Sequence, residues 1–271
     1  MKHLLTFAVA VAIATGACAQ GVERGAKNAP QFTPAFPNQT RAPAMDSGVA
    51  MQIDVLAEGL ETPWGVEVLP EGGYLVTERS GALRMLKDGK VSAPISGVPQ
   101  VLAERQGGLL DVALAEDFAT SRVIFLTYAK PMQGGMSATA AARAVLSADG
   151  RALTDLRDVF VQDPPSPNAM HFGSRAVLQG DTLYINTGEH FSTRERKFSQ
   201  DLDKTYGKVV WVNLDGGAAK GNPFNNEIWT LGHRNVQGAD IRPSDGTLWK
   251  PLKWSYLFGL FCGLAKVHLV S

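Results

Sequence analysis

A chain of 271 residues is long enough to bury a sizeable core, in one large domain or two small ones. Lys plus Arg number 26 and Asp plus Glu number 26, so no net field draws the protein to nucleic acid or to anionic lipid. The 28 Gly and 15 Pro supply many turns without a low-complexity run, which favours short strands over long helices and argues against disorder.

In chain order, residues 1–19 read as a signal peptide. Lys2 and His3 form a basic end, Leu4 to Ala14 an apolar run, and Ala17-Cys18-Ala19 a small-residue cleavage site. The apolar run is too short to span a bilayer, so the expectation is a periplasmic or secreted protein. The alternative is a lipoprotein acylated at Cys18. Once Cys18 leaves with the leader, Cys262 is the remaining thiol, which permits neither an intrachain disulfide nor a cysteine zinc site. Residues 20–48, with Pro30, Pro34, Pro37 and Pro43 among small polar residues, read as a flexible linker.

From Val49 the pattern changes. "MQIDVLAEGL" alternates apolar and polar residues as a half-buried strand does. Three short strands follow, Gly65–Leu69, Tyr74–Glu78 and Ala82–Leu86, separated by Pro70-Glu71-Gly72-Gly73 and Ser80-Gly81. Such separators are hairpin chemistry, because Gly supplies the positive φ that tight turns need. The same strand–turn–strand unit returns in "GGLLDVALAEDFATSRVIFLTYAK", "FGSRAVLQGDTLYINTGEH" and "VQGADIRPSDGTLWK". Starts near 65, 107, 173 and 238 give a period of roughly 40–65 residues, the size of a propeller blade. A β-sandwich would also use short strands but would not repeat a unit in this way. The predicted fold is all-β, a β-propeller over residues 49–249. In such a fold the start of each repeat converges on one end of a central channel, which would gather Gln106, His171, Glu189, Arg234 and Asn235.

His171, between Met170 and Phe172, has an apolar flank and the near-neutral basicity that suits proton abstraction. With His171 and Glu189, His190 and His233 offer an alternative histidine–carboxylate metal site, although no H-E-x-x-H spacing is present. There is no G-x-S-x-G elbow, P-loop or dinucleotide glycine fingerprint, which disfavours serine hydrolases, NTPases and nicotinamide enzymes.

The segments "TPWGVEVLPEGGYLVTERSGALRML", "RQGGLLDVALAEDF", "HFGSRAVLQGDTLYINTGEH", "QDLDKTYGKVVWVNLDG" and "IWTLGHRNVQGADIRP" occur in this order. Together they closely resemble the soluble quinoprotein aldose dehydrogenases of the glucose/sorbosone type, over roughly residues 52–249. The resemblance implies a six-bladed propeller of which this chain supplies roughly the first four blades. It implies an oxidoreductase using pyrroloquinoline quinone (PQQ) and calcium, with an aldose sugar as substrate. It places His171, in the H-x-G-x-R segment, as general base, and Glu189 as the carboxylate that orients it. Arg234 and Asn235 match the pair that contacts cofactor and substrate, with Gln237 a further cofactor contact. Gln106 matches a glutamine that hydrogen-bonds the sugar.

Two departures qualify the match. Met170 stands where some members of the family carry a polar sugar-binding residue, so sugar specificity does not carry over. After Trp249 the chain reads "KPLKWSYLFGLFCGLAKVHLVS", without the segment whose carbonyls bind calcium in the family. Residues 250–271 therefore read as a divergent tail that supplies no metal ligand. The competing expectation is a non-catalytic propeller remnant or interaction module.

Overall fold

The structure, a computed structural model, describes residues 31, 33, 48–250 and 264–270. The signal peptide, most of the linker and most of the tail lie outside the described residues. The chain divides into a compact unit of Ile53–Val267 and a second unit of Met1–Gln52 with His268–Ser271.

After β1 (Ala50–Ala57), three antiparallel four-stranded sheets follow in chain order. The first is β2 (Pro63–Val68), β3 (Tyr74–Glu78), β4 (Ala82–Lys87) and β5 (Lys90–Val91). The second is β6 (Leu109–Leu114), β7 (Val123–Pro131), β8 (Ser137–Leu146) and β9 (Leu153–Val161), with one helical turn, α1 (Phe118–Ser121), between β6 and β7. The third is β10 (Gly173–Gln179), β11 (Thr182–Thr187), β12 (Val209–Asn213) and β13 (Ile228–Thr230). A two-stranded sheet, β14 (Asp240–Ile241) and β15 (Leu248–Trp249), begins a fourth. Among the described residues the fold is thus all-β and built of propeller blades, three with four strands each and a fourth represented by a hairpin. A further strand, β16 (Leu264–Val270), lies in the stretch that lacks blade alternation in the sequence. Among the described residues no helix is long and apolar enough to cross a membrane.

The first strands of successive blades lie side by side: β2 contacts β6, β6 contacts β10, and β10 contacts β14. Each full blade breaks register at the same place in its first strand, between Pro63 and Val66, Leu109 and Val112, and Gly173 and Ala176. A bulge there bends the strand and re-aims the side chains next to it. Threonines lock the bends to the following blade. Thr77 Oγ1 donates to the Leu110 carbonyl and Thr127 Oγ1 to the Ser174 carbonyl (2.5 Å), while the Asp111 N–H donates back to Thr127 Oγ1 (2.9 Å).

The core fills the spaces between blades. Leu75, Leu83, Leu109, Val112, Phe118 and Leu126 pack between the first and second. Ala113, Phe125, Ala141, Ala176, Leu183, Ile185 and Val210 pack between the second and third. The middle blade is therefore covered on both faces, and β6 is buried from Leu109 to Ala113 rather than on alternate residues, with Asp111 the one charged residue in it. Its strand β8 carries Ala138, Ala140, Ala141, Ala142 and Ala144, all buried, whose small side chains let both neighbours approach closely. Trp211 stacks on Tyr184 at 5.5 Å within blade three.

Candidate active site

Four connections on one side of the bulged strands meet around His171: the turn before β6, the entry into β10, the loop after β11 and the segment before β14. His171 itself takes φ +50°, an uncommon conformation for a non-glycine residue, as do His190 (+56°) and Phe191 (+54°) in the facing loop. Two hydrogen bonds fix the imidazole from either side of its Cα. The backbone N–H of His171 donates to Gln106 Oε1 (2.9 Å), and ring Nδ1 lies 2.6 Å from Glu189 Oε1. The partner is a carboxylate, so Nδ1 carries the proton and Nε2 keeps its lone pair. Gly188 makes this approach possible, because a Cβ there would overlap the His171 carbonyl oxygen.

Glu189 is the hub. Its side chain is only 4% exposed. Oε1 takes the imidazole, accepts the Phe191 N–H at 3.2 Å, and lies 3.5 Å from Arg234 Nε. Oε2 is buried without a hydrogen-bond partner and lies 3.8 Å from Arg196 Nε. Burial alone would raise the Glu189 pKa. The His171 hydrogen bond, with the charges of Arg196 and Arg234, outweighs burial and holds it below the ordinary carboxylate range. The carboxylate is ionised, and the two guanidiniums around it leave a surplus of positive charge at the mouth.

The segment before β14 is pinned to the same hub. The Glu189 N–H donates to the Arg234 carbonyl (2.9 Å), Gly188 bridges Asn235, and the Gly173 N–H donates to Asn235 Oδ1 (2.9 Å). Phe191, 44% exposed, stands edge-on to the His171 ring at 4.9 Å, with the Arg234 guanidinium 5.4 Å from its ring centre. The structure therefore brings together Gln106, His171, Glu189, Arg234 and Asn235, drawn from four connections, as the convergence of repeat starts predicts. Gln237 enters through its backbone, since its carbonyl accepts from Arg175 Nε at 3.3 Å.

The other two candidate histidines, His190 and His233, have different work. His190 Nδ1 lies 3.0 Å from the Asn168 carbonyl, and its ring packs edge-on against Phe172 and Tyr206. Burial pushes it down to about 4. His233 Nε2 lies 2.8 Å from Thr230 Oγ1, and burial, with the charges of Lys250 and Lys208, pushes it likewise to about 4. Both are neutral packing groups at pH 7. Among the described residues no three His, Cys, Asp or Glu side chains gather to hold a metal ion, so the alternative histidine–carboxylate site does not form. Arg196 and Phe191 are site neighbours that sequence reasoning misses. Their only sequence signal is position, a charged and aromatic run "HFSTRER" directly after Glu189.

The family model for glucose/sorbosone dehydrogenase matches residues 60–251. The aldose sugar dehydrogenase YliI of Escherichia coli (strain K12) is 43% identical over 208 residues, covering 73% of this chain and 55% of that protein. The crystal structure of the soluble aldose sugar dehydrogenase from Escherichia coli, in its apo form, superposes with a TM-score of 0.70 at 42% identity, covering 74% of this chain and 60% of that one. The PQQ-bound aldose sugar dehydrogenase from Streptomyces coelicolor superposes with a TM-score of 0.65 at 29% identity, again covering 74% and 60%. The chain spans about half the length of the curated relatives it matches.

Proposed function

The chain belongs to the glucose/sorbosone dehydrogenase family, and from that premise we propose that its site oxidises an aldose at the anomeric carbon to the lactone, outside the cytoplasm. The observation that carries this reading is the meeting of His171 Nδ1 (2.6 Å) and Arg234 Nε (3.5 Å) on the single oxygen Glu189 Oε1. An imidazole so held presents Nε2 as a base of fixed direction, beside a guanidinium able to bind an anion.

Oxidising a sugar hydroxyl removes a proton from oxygen and a hydride from carbon, and PQQ, when bound, supplies the hydride acceptor. The donor set suits that group. The quinone is a planar polyanion, and the mouth offers an exposed Phe191 ring with Arg234 and Arg196 around one carboxylate. His171 Nε2 takes the proton of the anomeric hydroxyl, while Glu189 fixes the tautomer and stabilises the imidazolium that results. Arg234 and Asn235 hold the quinone, with Gln237 beside them. Gln106 fixes the His171 backbone through Oε1, and its amide NH2 is the group to meet a sugar hydroxyl. Met170 offers no such hydrogen bond. The described residues gather no carboxylate set for calcium, and no step here depends on that ion.

The test is dye reduction by the purified chain with PQQ, calcium and glucose or another aldose, in parent and His171→Gln. Quinone-dependent turnover that falls by about 10²–10⁴-fold in the variant supports the reading. Absence of turnover in the parent, or equal turnover in both, favours the non-catalytic remnant.

A further inference from the structure

Arg175 lies outside the group of residues assigned above, yet its guanidinium meets the first strands of blades one and two and the segment that leads into blade four. Nη1 donates to Asp111 Oδ1 of blade two (2.8 Å), and Nε donates to the Gln237 carbonyl at the head of blade four (3.3 Å). Its Cζ sits 5.3 Å from the Trp64 ring centre of blade one. Asp111 is itself held. It is fully buried, its Oδ2 accepts the Ala176 N–H (2.9 Å), and it passes against Gly65, where a Cβ would collide with it.

The contact to Gln237 gives this hub a functional reach. Gln237 follows Arg234 and Asn235 by two residues. At its near end that segment is tied down by the Glu189 N–H on the Arg234 carbonyl and the Gly173 N–H on Asn235 Oδ1, and beyond it the chain enters the β14–β15 pair. Arg175 ties down the far end. A planar fork is needed, since two acceptors, one on β6 and one in the segment before β14, must be met at once, which a lysine ammonium cannot do with the same geometry.

We propose that Arg175 is a positioning residue for this site: aimed by the buried Asp111, it holds the Gln237 carbonyl and thereby fixes Arg234 and Asn235 in register with His171 and Glu189. Its consequence for turnover rests on the function proposed above. Its effect on the segment does not.

Hydrogen exchange of the full chain without added cofactor, read by mass spectrometry, tests the segment directly. In Arg175→Met, amides of 233–241 exchange at least about tenfold faster, while those of β8 keep their protection. Arg175→Lys, which retains a charge for Asp111, lies between parent and Met. The double variant Asp111→Asn/Arg175→Met removes the stranded buried carboxylate and so recovers melting temperature, yet keeps fast exchange in 233–241. Unchanged exchange there in Arg175→Met overturns the proposal, as does a double variant that recovers exchange and melting temperature together, since that is the mark of a purely structural ion pair. With PQQ added, Arg175→Met weakens quinone binding at least about tenfold with turnover at saturation within about threefold. If exchange behaves as stated and the parent binds no quinone, the positioning role stands and the dehydrogenase reading falls.

Discussion

His171 and Glu189 are separated in sequence by the β10–β11 hairpin, and the hairpin folds them back to a 2.6 Å contact. The dyad depends on the glutamate remaining charged, and its surroundings ensure that. Glu189→Gln keeps a hydrogen-bond acceptor but removes the charge, so turnover should fall by about tenfold or more while quinone binding changes little. Steady-state kinetics in quinone and in sugar separate the two effects. The carboxylate pKa is depressed in the folded chain, so its stabilising contribution is present above the unfolded value and is lost as pH falls through the folded one. Melting temperatures of parent and Glu189→Gln should therefore converge in that acid range, and curves that stay parallel would contradict the assignment. The sequence exposes His171 and Glu189 because each sits next to a glycine turn in a segment resembling a known family. Phe191 and Arg196 stay hidden because the loop that carries them has no period, and only folding shows what it covers.

At the scale of elements, the shared bulge and its threonine latch repeat from blade to blade. Thr127→Val leaves the Asp111 N–H and the Ser174 carbonyl without their partner, at about 1–3 kcal/mol for each buried group stranded, readable as a lowered denaturation midpoint. An unchanged midpoint would show that the latch is incidental. Asp111 reaches across to Arg175 and the Ala176 N–H in the next blade. Burial pushes it up to about 6 despite the ion pair. The sign follows from the raised value: its contribution is fully present below the unfolded pKa and is lost as pH rises towards 6. Parent minus Asp111→Asn stability should accordingly grow on acidification from pH 7 to 4, as thermal melts at intermediate pH would reveal. The first three strands of blade one are readable in the sequence, because Tyr74–Glu78 and its neighbours lie between clear glycine turns, whereas the two-residue β5 is too short to leave a pattern. Blade two was readable only in outline. Its strands are buried on both faces, which erases alternation, and its alanine-rich β8 carries no hydrophobic signature of a strand.

For the molecule as a whole, repeat starts read from sequence near 65, 107, 173 and 238 correspond to first strands at Pro63, Leu109, Gly173 and Asp240. That agreement is what places residues from four connections at one mouth. The imidazoles of buried His190 and half-buried His233, both depressed to about 4, contribute to the acid side of stability. Their contribution is present above pH 6.5 and lost as pH falls towards 4, opposite in sign to that of Asp111. His233→Gln should flatten the fall in melting temperature over that window, and an equally steep fall would contradict a neutral half-buried imidazole. The central claim is that the mouth takes a proton through His171 and holds the quinone through other residues. Its most direct measurement is anaerobic mixing of the PQQ-loaded chain with an aldose, following the quinone's absorbance in parent and His171→Gln. The account predicts equal quinone loading and a bleaching rate at least about 10²-fold slower in the variant. Equal rates, or a variant that loses the quinone itself, would contradict it.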